Sequence, residues 1–196
     1  MGYNLPRLIF VVFFAAFLFP GSFCQADDRA RDRATLRGIQ SIIVKVHSWE
    51  PGWSAQLKKV GLTENDLESL IERKLETAGI HVLTEEASQR SETEGILNVR
   101  IKFANPEPST KTYKTWGEQD IDEIDVKKKY IYAIRLNLRQ LVVLRRDPAL
   151  EAWSITWQTE SVGLRQVPLI REAVLNAIDV FIEAYSSENP GSQKTN

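Results

Sequence analysis

Two kinds of hydrophobic periodicity alternate along the chain, and together they predict an α+β domain. Residues 39–46 are a short β-branched run, which is typical of a buried strand. Apolar side chains then recur every three or four positions over residues 67–78, which predicts an amphipathic helix with Thr63 as its N-cap and Gly79 just after its end. Residues 80–83 return to a strand pattern, and the right-handed crossover rule makes these first two strands parallel neighbours or near neighbours.

The second half of the chain is dominated by strand patterns of period two. Residues 96–103 and residues 130–138 both alternate apolar with polar side chains, which predicts two half-exposed strands. The Asp-Pro pair at 147–148 predicts a turn, and residues 153–158 alternate again in an antiparallel return strand. The strand before the turn and this return strand should therefore form a hairpin. Residues 170–185 carry apolar side chains at helical spacing and predict the last helix.

The predicted order of elements is β-α-β-β-β-β-α. This order indicates an α+β fold with a mixed, mostly antiparallel sheet of four to five strands and two amphipathic helices on one face. The other face is left to solvent or to a partner. Trp153 and Trp157 share one face of the return strand, so we expect both in the core. The domain should span residues 27–188, and the polar residues 189–196 should form a disordered tail.

The first 26 residues have the composition of an export signal. The single basic Arg7 precedes an apolar run over residues 8–19, which is shorter than the about 20 residues that a membrane-spanning helix needs. Small residues before a cleavage point after Ala26 fit signal peptidase, so we expect a periplasmic or secreted protein. One alternative is lipidation at Cys24, which follows the bulky Phe23 instead of the usual small residue; an uncleaved anchor is another.

Composition excludes some classes of function. Cys24 is the only cysteine, so a chain cleaved after Ala26 has neither disulfides nor thiolate chemistry. The full chain carries 25 Lys and Arg against 26 Asp and Glu, and removal of Arg7 leaves a net charge of about −2. This balance excludes a globally basic nucleic-acid binder. Anion binding would therefore need local segregation of charge.

No catalytic, cofactor-binding or metal-binding motif appears in the sequence. His47 and His81 lack the spacing of metal ligands, and there is neither a Gly-rich phosphate loop nor a nucleophile elbow. The acidic run at 120–125 lacks the glycine and the closing glutamate of a calcium loop, which favours a solvated loop. The sequence therefore favours a non-enzyme without a cofactor, and an enzyme with an unrecognised site stays open.

Two sets of side chains are candidates for partner binding. Outward positions on neighbouring strands would form a basic face, whereas the first helix would present an acidic side. The basic positions are Arg100, Lys102, Arg135 and Arg139, with Arg145 as a further member, and the acidic positions are Glu64, Asp66, Glu68, Glu72 and Glu76. An anionic partner would relieve repulsion between the cations. Alternatively, the arginines lie over a solvated sheet and pair with loop carboxylates.

Trp49 and Trp53 flank a Pro-Gly pair in a predicted loop. There the two rings could stack on a sugar or dock a protein partner, or they could cover the end of the core.

The order of strands and helices resembles small envelope modules of Gram-negative bacteria, similar in outline to LptE and the N-terminal domain of TolB. The matching stretches are residues 38–46, residues 75–80 and the last helix at 170–185. The resemblance is one of topology and hydrophobic pattern, and the chain departs from the lipoprotein members at Phe23 and Cys24. It implies a protein of the cell envelope, and no functional residue is carried over.

These observations lead to two hypotheses about function. The first is a periplasmic accessory or scaffolding protein that binds an envelope partner protein through an open sheet face or a sheet edge, by β-strand addition. The second is a module that binds an anionic envelope glycolipid or polymer through the basic face. Neither involves nucleic acid, and attachment to the membrane is expected only if Cys24 is lipidated.

Overall fold

The computed structural model describes residues 30–104 and 129–191. The predicted signal segment, the acidic run at 120–125 and residues 192–196 of the predicted tail lie outside the described residues. The regular elements, in chain order, are α1 (Ala30–Ala34), β1 (Ser41–Val46), α2 (Pro51–Lys59), α3 (Glu64–Thr77), β2 (His81–Val82), a 3₁₀ turn (Glu85–Ala87), β3 (Glu94–Ala104), β4 (Lys129–Leu144), β5 (Asp147–Gln166), a second 3₁₀ turn (Val167–Leu169) and α4 (Ile170–Glu188).

The five strands form one sheet in the order β2-β1-β3-β4-β5. β1 runs parallel to both β2 and β3, whereas β3 with β4 and β4 with β5 are antiparallel. The antiparallel pairings are the longer ones, so the sheet is mixed and mostly antiparallel. The predicted α+β fold class is confirmed, and so is the parallel pairing of the first two strands.

Local signals in the sequence set the ends of α3. The Thr63 hydroxyl accepts a hydrogen bond from the Asp66 backbone N–H at 3.1 Å, which satisfies one of the free donors at the helix start. Gly79 follows the helix with φ of +80°, a conformation that favours glycine, and so lets the chain leave the helix. The predicted cap and the predicted stop are both confirmed.

The helix α2 corrects one expectation from the sequence. The Pro-Gly pair at 51–52 predicts a loop, yet the helix begins at Pro51. Proline is compatible with a first helical turn because the N–H that it lacks would have no partner inside the helix there. Trp53 and Leu57 on this helix are buried, so packing stabilises a segment whose local signals are weak.

The hairpin of β4 and β5 is present, but its turn lies two residues earlier than expected. Arg145 and Arg146 form the turn, Leu144 pairs with Asp147, and the expected turn residues Asp147 and Pro148 begin β5. β5 is 20 residues long and continues to Gln166, well beyond the predicted return strand.

A β-bulge at Thr156 reverses the face assignment of half of β5. Leu138 pairs with Trp157 whereas the next residue, Arg139, pairs with Ile155, so Thr156 is the extra residue. Trp157 is 1% exposed in the core, but Ile155 is 52% exposed on the opposite face, and Trp153 is on that face too. The expectation that Trp153 belongs to the core is therefore wrong, because strict alternation does not allow for the inserted residue.

All of the longer helices cover one face of the sheet. Trp53 of α2 stacks near Phe103 of β3, with ring centroids 5.2 Å apart, and Trp157 of β5 meets Phe181 of α4 at the same distance. α3 lies against β1, β2 and α4. α3 and α4 are the two predicted amphipathic helices. No helix in the described ranges is long and apolar enough to cross a bilayer.

The end of α4 is tied to the start of β1. The buried Tyr185 hydroxyl donates to the Ile39 carbonyl at 2.7 Å. The Asn189 side chain donates to the carbonyls of Leu36 and Tyr185, and it accepts from the Gly38 N–H. The segment before β1 is therefore fixed by polar contacts with the last helix.

The connection between β2 and β3 is organised around one buried carboxylate. Glu94 accepts hydrogen bonds from the Ser88 hydroxyl at 2.6 Å and from the backbone N–H groups of Gln89 and Arg90 at 3.1 and 3.0 Å. Burial raises the pKa of Glu94, but these hydrogen bonds outweigh it and hold the pKa below the usual value of 4.5.

Candidate docking surface

The face of the sheet away from α2, α3 and α4 is called the outer face here. Its side chains are the outward residues of β1, β3, β4 and β5, and the strand register places them in cross-strand rows. The rows differ in chemistry, so the outer face divides into one basic patch and two apolar patches.

The basic patch consists of Arg100, Lys102, Arg135 and Arg139, and all four predicted cations lie on the outer face as expected. Arg100 is directly opposite Arg135, and Lys102 lies in the next row on one side. Arg139 lies two rows away on the other side, beyond the row of Asn98 and Asn137. All four side chains are exposed. Like charges directly opposite each other across a sheet destabilise it, so this arrangement attracts anions. Arg145 lies in the hairpin turn, at the far end of β4.

One carboxylate on the outer face partly balances the basic patch. Glu160 of β5 accepts from Arg135 through Nε at 3.0 Å and Nη2 at 2.8 Å. Within residues 30–104 and 129–191, the other three cations of the basic patch have no such ion pair. Beside the patch, Asn98 connects His47 to Asn137 through hydrogen bonds of 3.0 and 3.2 Å.

Exposed apolar side chains lie at both ends of the outer face on β4 and β5. The first apolar patch is Ile131, Val162 and Leu164, and its two β5 members are 52% and 51% exposed. The second apolar patch is Leu141, Val143, Trp153 and Ile155. Contiguous exposed apolar side chains on a protein surface commonly mark an interaction site.

The two edge strands of the sheet, β2 and β5, differ strongly in length. β2 has only two residues, so the edge that it leaves is short. β5 is the other edge, and in the described part of the chain its residues 158–165 hydrogen-bond no element except β4. A long edge strand presents a row of free backbone groups to which another strand can add. The edge strand was not identifiable from the sequence.

The two candidate tryptophans lie in the core and not on a surface. Trp49 and Trp53 are 5% and 2% exposed, and Trp53 lies in α2 instead of the predicted loop. Both rings contact Phe103 of β3, at centroid distances of 6.2 and 5.2 Å. The sequence left open whether these rings bind a partner or cover the end of the core, and in the structure both cover the end of the core. A docking role for them would need a rearrangement of this end of the domain.

The acidic residues of α3 do not all point to solvent as expected. Glu64 accepts from the Trp49 backbone N–H at 3.3 Å, and Glu68 accepts from the Val46 backbone N–H at 3.2 Å. They therefore hold the chain after β1. Glu72 is half-buried, and burial, together with its acidic neighbours on α3, raises its pKa.

The histidines are not brought together. His47 hydrogen-bonds Asn98 on the outer face, whereas the exposed His81 lines an open depression of about 680 Å³ between the end of α3, the segment before β1 and the end of α4. In the ranges that the structure describes, no group of three metal-ligating side chains occurs. The acidic run at 120–125 lies outside these ranges.

Sequence reasoning missed the apolar patches. Ile131 lies between two buried tyrosines, and Val162 and Leu164 lie beyond the predicted end of the return strand. The sequence does carry a signal for the rest of β5, because Glu160, Val162 and Leu164 alternate with the small Ser161 and Gly163. The signal is weak because glycine interrupts the strand pattern.

No protein-family model matches the sequence, and no curated protein matches it. Among solved structures, a dodecamer of a PelC variant from Paraburkholderia phytofirmans is similar, with 14% sequence identity and a TM-score of 0.34. The match covers 74% of this chain and 82% of the other. A similarity with this TM-score supports no conclusion about fold or function, so the resemblance to LptE and TolB stays a prediction.

Proposed function

We propose that the protein is a non-catalytic periplasmic accessory protein that binds a partner protein of the cell envelope through the outer face and the β5 edge. The observation that carries the proposal is the distribution of exposed large apolar side chains. Of the seven in residues 30–104 and 129–191, five lie on the outer face of β4 and β5: Ile131, Val143, Ile155, Val162 and Leu164. Apolar side chains exposed to water contribute no burial free energy to the fold, whereas a docked partner would remove them from water.

The β5 edge supplies a physical means of docking. An extended segment of a partner could add as a sixth strand, with main-chain hydrogen bonds for affinity and side-chain contacts to the outer face for specificity. The basic patch would then orient a partner that carries acidic groups. The export signal predicted over residues 1–26 supports a location in the envelope.

The test is a cross-linking pull-down from native cell envelopes with the tagged protein, at about 0.1 M and about 1 M salt. We expect one discrete protein to be captured at both salt concentrations by the wild type and to be lost with Ile155→Lys. Leu169→Lys is the matched control, because Leu169 is also an exposed apolar residue, at 41%, but lies in the 3₁₀ turn outside the sheet. Equal capture by wild type and both variants would contradict docking on the outer face.

The basic patch favours a second function, binding of an anionic envelope glycolipid or polymer. The specific observation is the direct opposition of Arg100 and Arg135, with the Glu160 carboxylate already bound to Arg135. Binding to lipopolysaccharide micelles should then fall steeply with salt and should be lost in Arg100→Glu. Lys58→Glu, an exposed cation on α2, is the control. Salt-independent binding, or equal loss in the control, would exclude this function.

A further inference from the structure

The β5 edge is self-complementary over residues 158–166. Only Glu160 and Arg165 are charged in this segment, and its outward apolar residues are Val162 and Leu164. Natural edge strands are usually protected by prolines, bulges or several charges, and here the proline and the bulge both lie earlier, at Pro148 and Thr156. The Thr35 hydroxyl also donates to the Thr156 carbonyl, so the bulged part is covered.

We propose that the β5 edges of two copies of this protein pair antiparallel about a two-fold axis at Gly163, so that two five-stranded sheets become one continuous sheet. The occupant of the edge is thus a second copy of the same chain. This goes beyond the proposed function, because it does not depend on the identity of any partner. A second copy and a partner segment would compete for the same edge, so strand addition by a partner would require the monomer, whereas the outer face stays open in the dimer.

Side-chain chemistry selects this register among the possible ones. Antiparallel pairing about a two-fold axis perpendicular to the sheet places residues of the same face opposite each other. The axis must therefore lie between the two copies of one residue, and each register is named here by that residue. An axis at Glu160 would place two carboxylates opposite each other, which is unfavourable. An axis at Ser161 or Val162 would place Glu160 opposite an apolar side chain.

The axis at Gly163 avoids all of these conflicts. It places Val162 opposite Leu164 of the second copy, and the symmetry repeats that pair, so four half-exposed apolar side chains form one cluster. Glu160 then lies opposite the neutral Gln166, and Ser161 lies opposite Arg165. The residue at the axis has no side chain of its own, and the Tyr132 ring of the same chain packs against it.

The pairing also extends the outer face. The first apolar patches of the two copies, which include Ile131 beside Leu164, would become neighbours across the axis. Because the ladder is only about nine residues long, it falls at or below the low end of stable interfaces, which bury about 1,200 Å². We therefore expect a weak dimer, half formed on the order of 10–100 µM protein.

The first test is sedimentation velocity on the purified protein from about 5 to about 200 µM. We expect a concentration-dependent shift from monomer to dimer in the wild type. Val162→Lys should weaken the dimer at least about tenfold, because it places cations in the four-residue apolar cluster. Val143→Lys is the matched control, since Val143 is similarly exposed on the outer face but lies on β4, away from the edge. A wild type that stays monomeric overturns the inference, as does a dimer that Val162→Lys leaves intact.

The second test addresses the register in a Cys24→Ser background. Chains with Val162→Cys and chains with Leu164→Cys should form a disulfide-linked dimer rapidly when they are mixed, and much less when either is oxidised alone. Leu164→Cys mixed with Gln158→Cys reports the register centred on Ser161, and preferential cross-linking of that mixture would overturn the Gly163 axis. Loss of the dimer together with retention of a captured envelope protein would reject the self-pairing alone, so the two proposals fail separately.

Discussion

Substitutions two residues apart on β5 should have very different effects on stability. Ile155 and Trp157 would share a face in an uninterrupted strand, but the bulge at Thr156 places them on opposite faces. Full burial of an isoleucine side chain is worth about 1.5–3 kcal/mol, and Ile155 is 52% exposed. Ile155→Thr keeps the β-branched shape, so its cost in the free energy of unfolding should be about 1 kcal/mol or less.

Trp157→Ala should be far more costly. The indole ring is 1% exposed and lies 5.2 Å from the Phe181 ring, so truncation leaves a large cavity between β5 and α4. Comparable substitutions cost about 3–5 kcal/mol. Since the domain itself is expected to have only about 5–15 kcal/mol of stability, Trp157→Phe provides a milder second variant with an intermediate effect.

Urea unfolding followed by circular dichroism measures both effects as shifts of the midpoint at constant m value. A loss of about 2 kcal/mol or more for Ile155→Thr would show that Ile155 is buried and would refute the bulge. A loss below about 1.5 kcal/mol for Trp157→Ala would equally refute the assigned core position.

Three further substitutions test the packing and the polar contacts. Gly163→Ala should lower the free energy of unfolding by about 1–3 kcal/mol, because an added Cβ would meet the Tyr132 ring and hydroxyl. Tyr132→Phe in the same chain removes the hydroxyl and should recover part of that loss in urea unfolding. Tyr185→Phe should lower the unfolding free energy by about 1–2 kcal/mol, since it leaves the buried Ile39 carbonyl without its donor, and no loss would contradict that hydrogen bond. The pKa of Glu94 is lowered in the folded state, so its contribution to the free energy of unfolding should be complete above the usual value of 4.5 and be lost as the pH falls through the folded pKa. Glu94→Gln should therefore make the free energy of unfolding depend less steeply on pH in this acidic range, and an unchanged dependence would count against the assigned role.

Elements with local signals could be predicted from the amino-acid sequence alone. Thr63 and Gly79 mark the ends of α3 because a capping hydroxyl and a positive φ are properties of single residues. Alternation along β3 and β4 identified the inward residues and the four outward cations, because the side-chain period of a strand is independent of its partners. These features were sufficient for the fold class and for the basic patch.

The helix α2, the bulge and the identity of the edge strand depend on contacts between distant parts of the chain. The segment at 51–59 is helical because Trp53 packs over Phe103, and no local propensity encodes that contact. The bulge at Thr156 is defined by two strands together, so the outward position of Ile155 follows from pairing with Arg139 and not from its own neighbours. Strand order depends on contacts between distant segments, and therefore the exposed β5 edge could not be identified from periodicity alone.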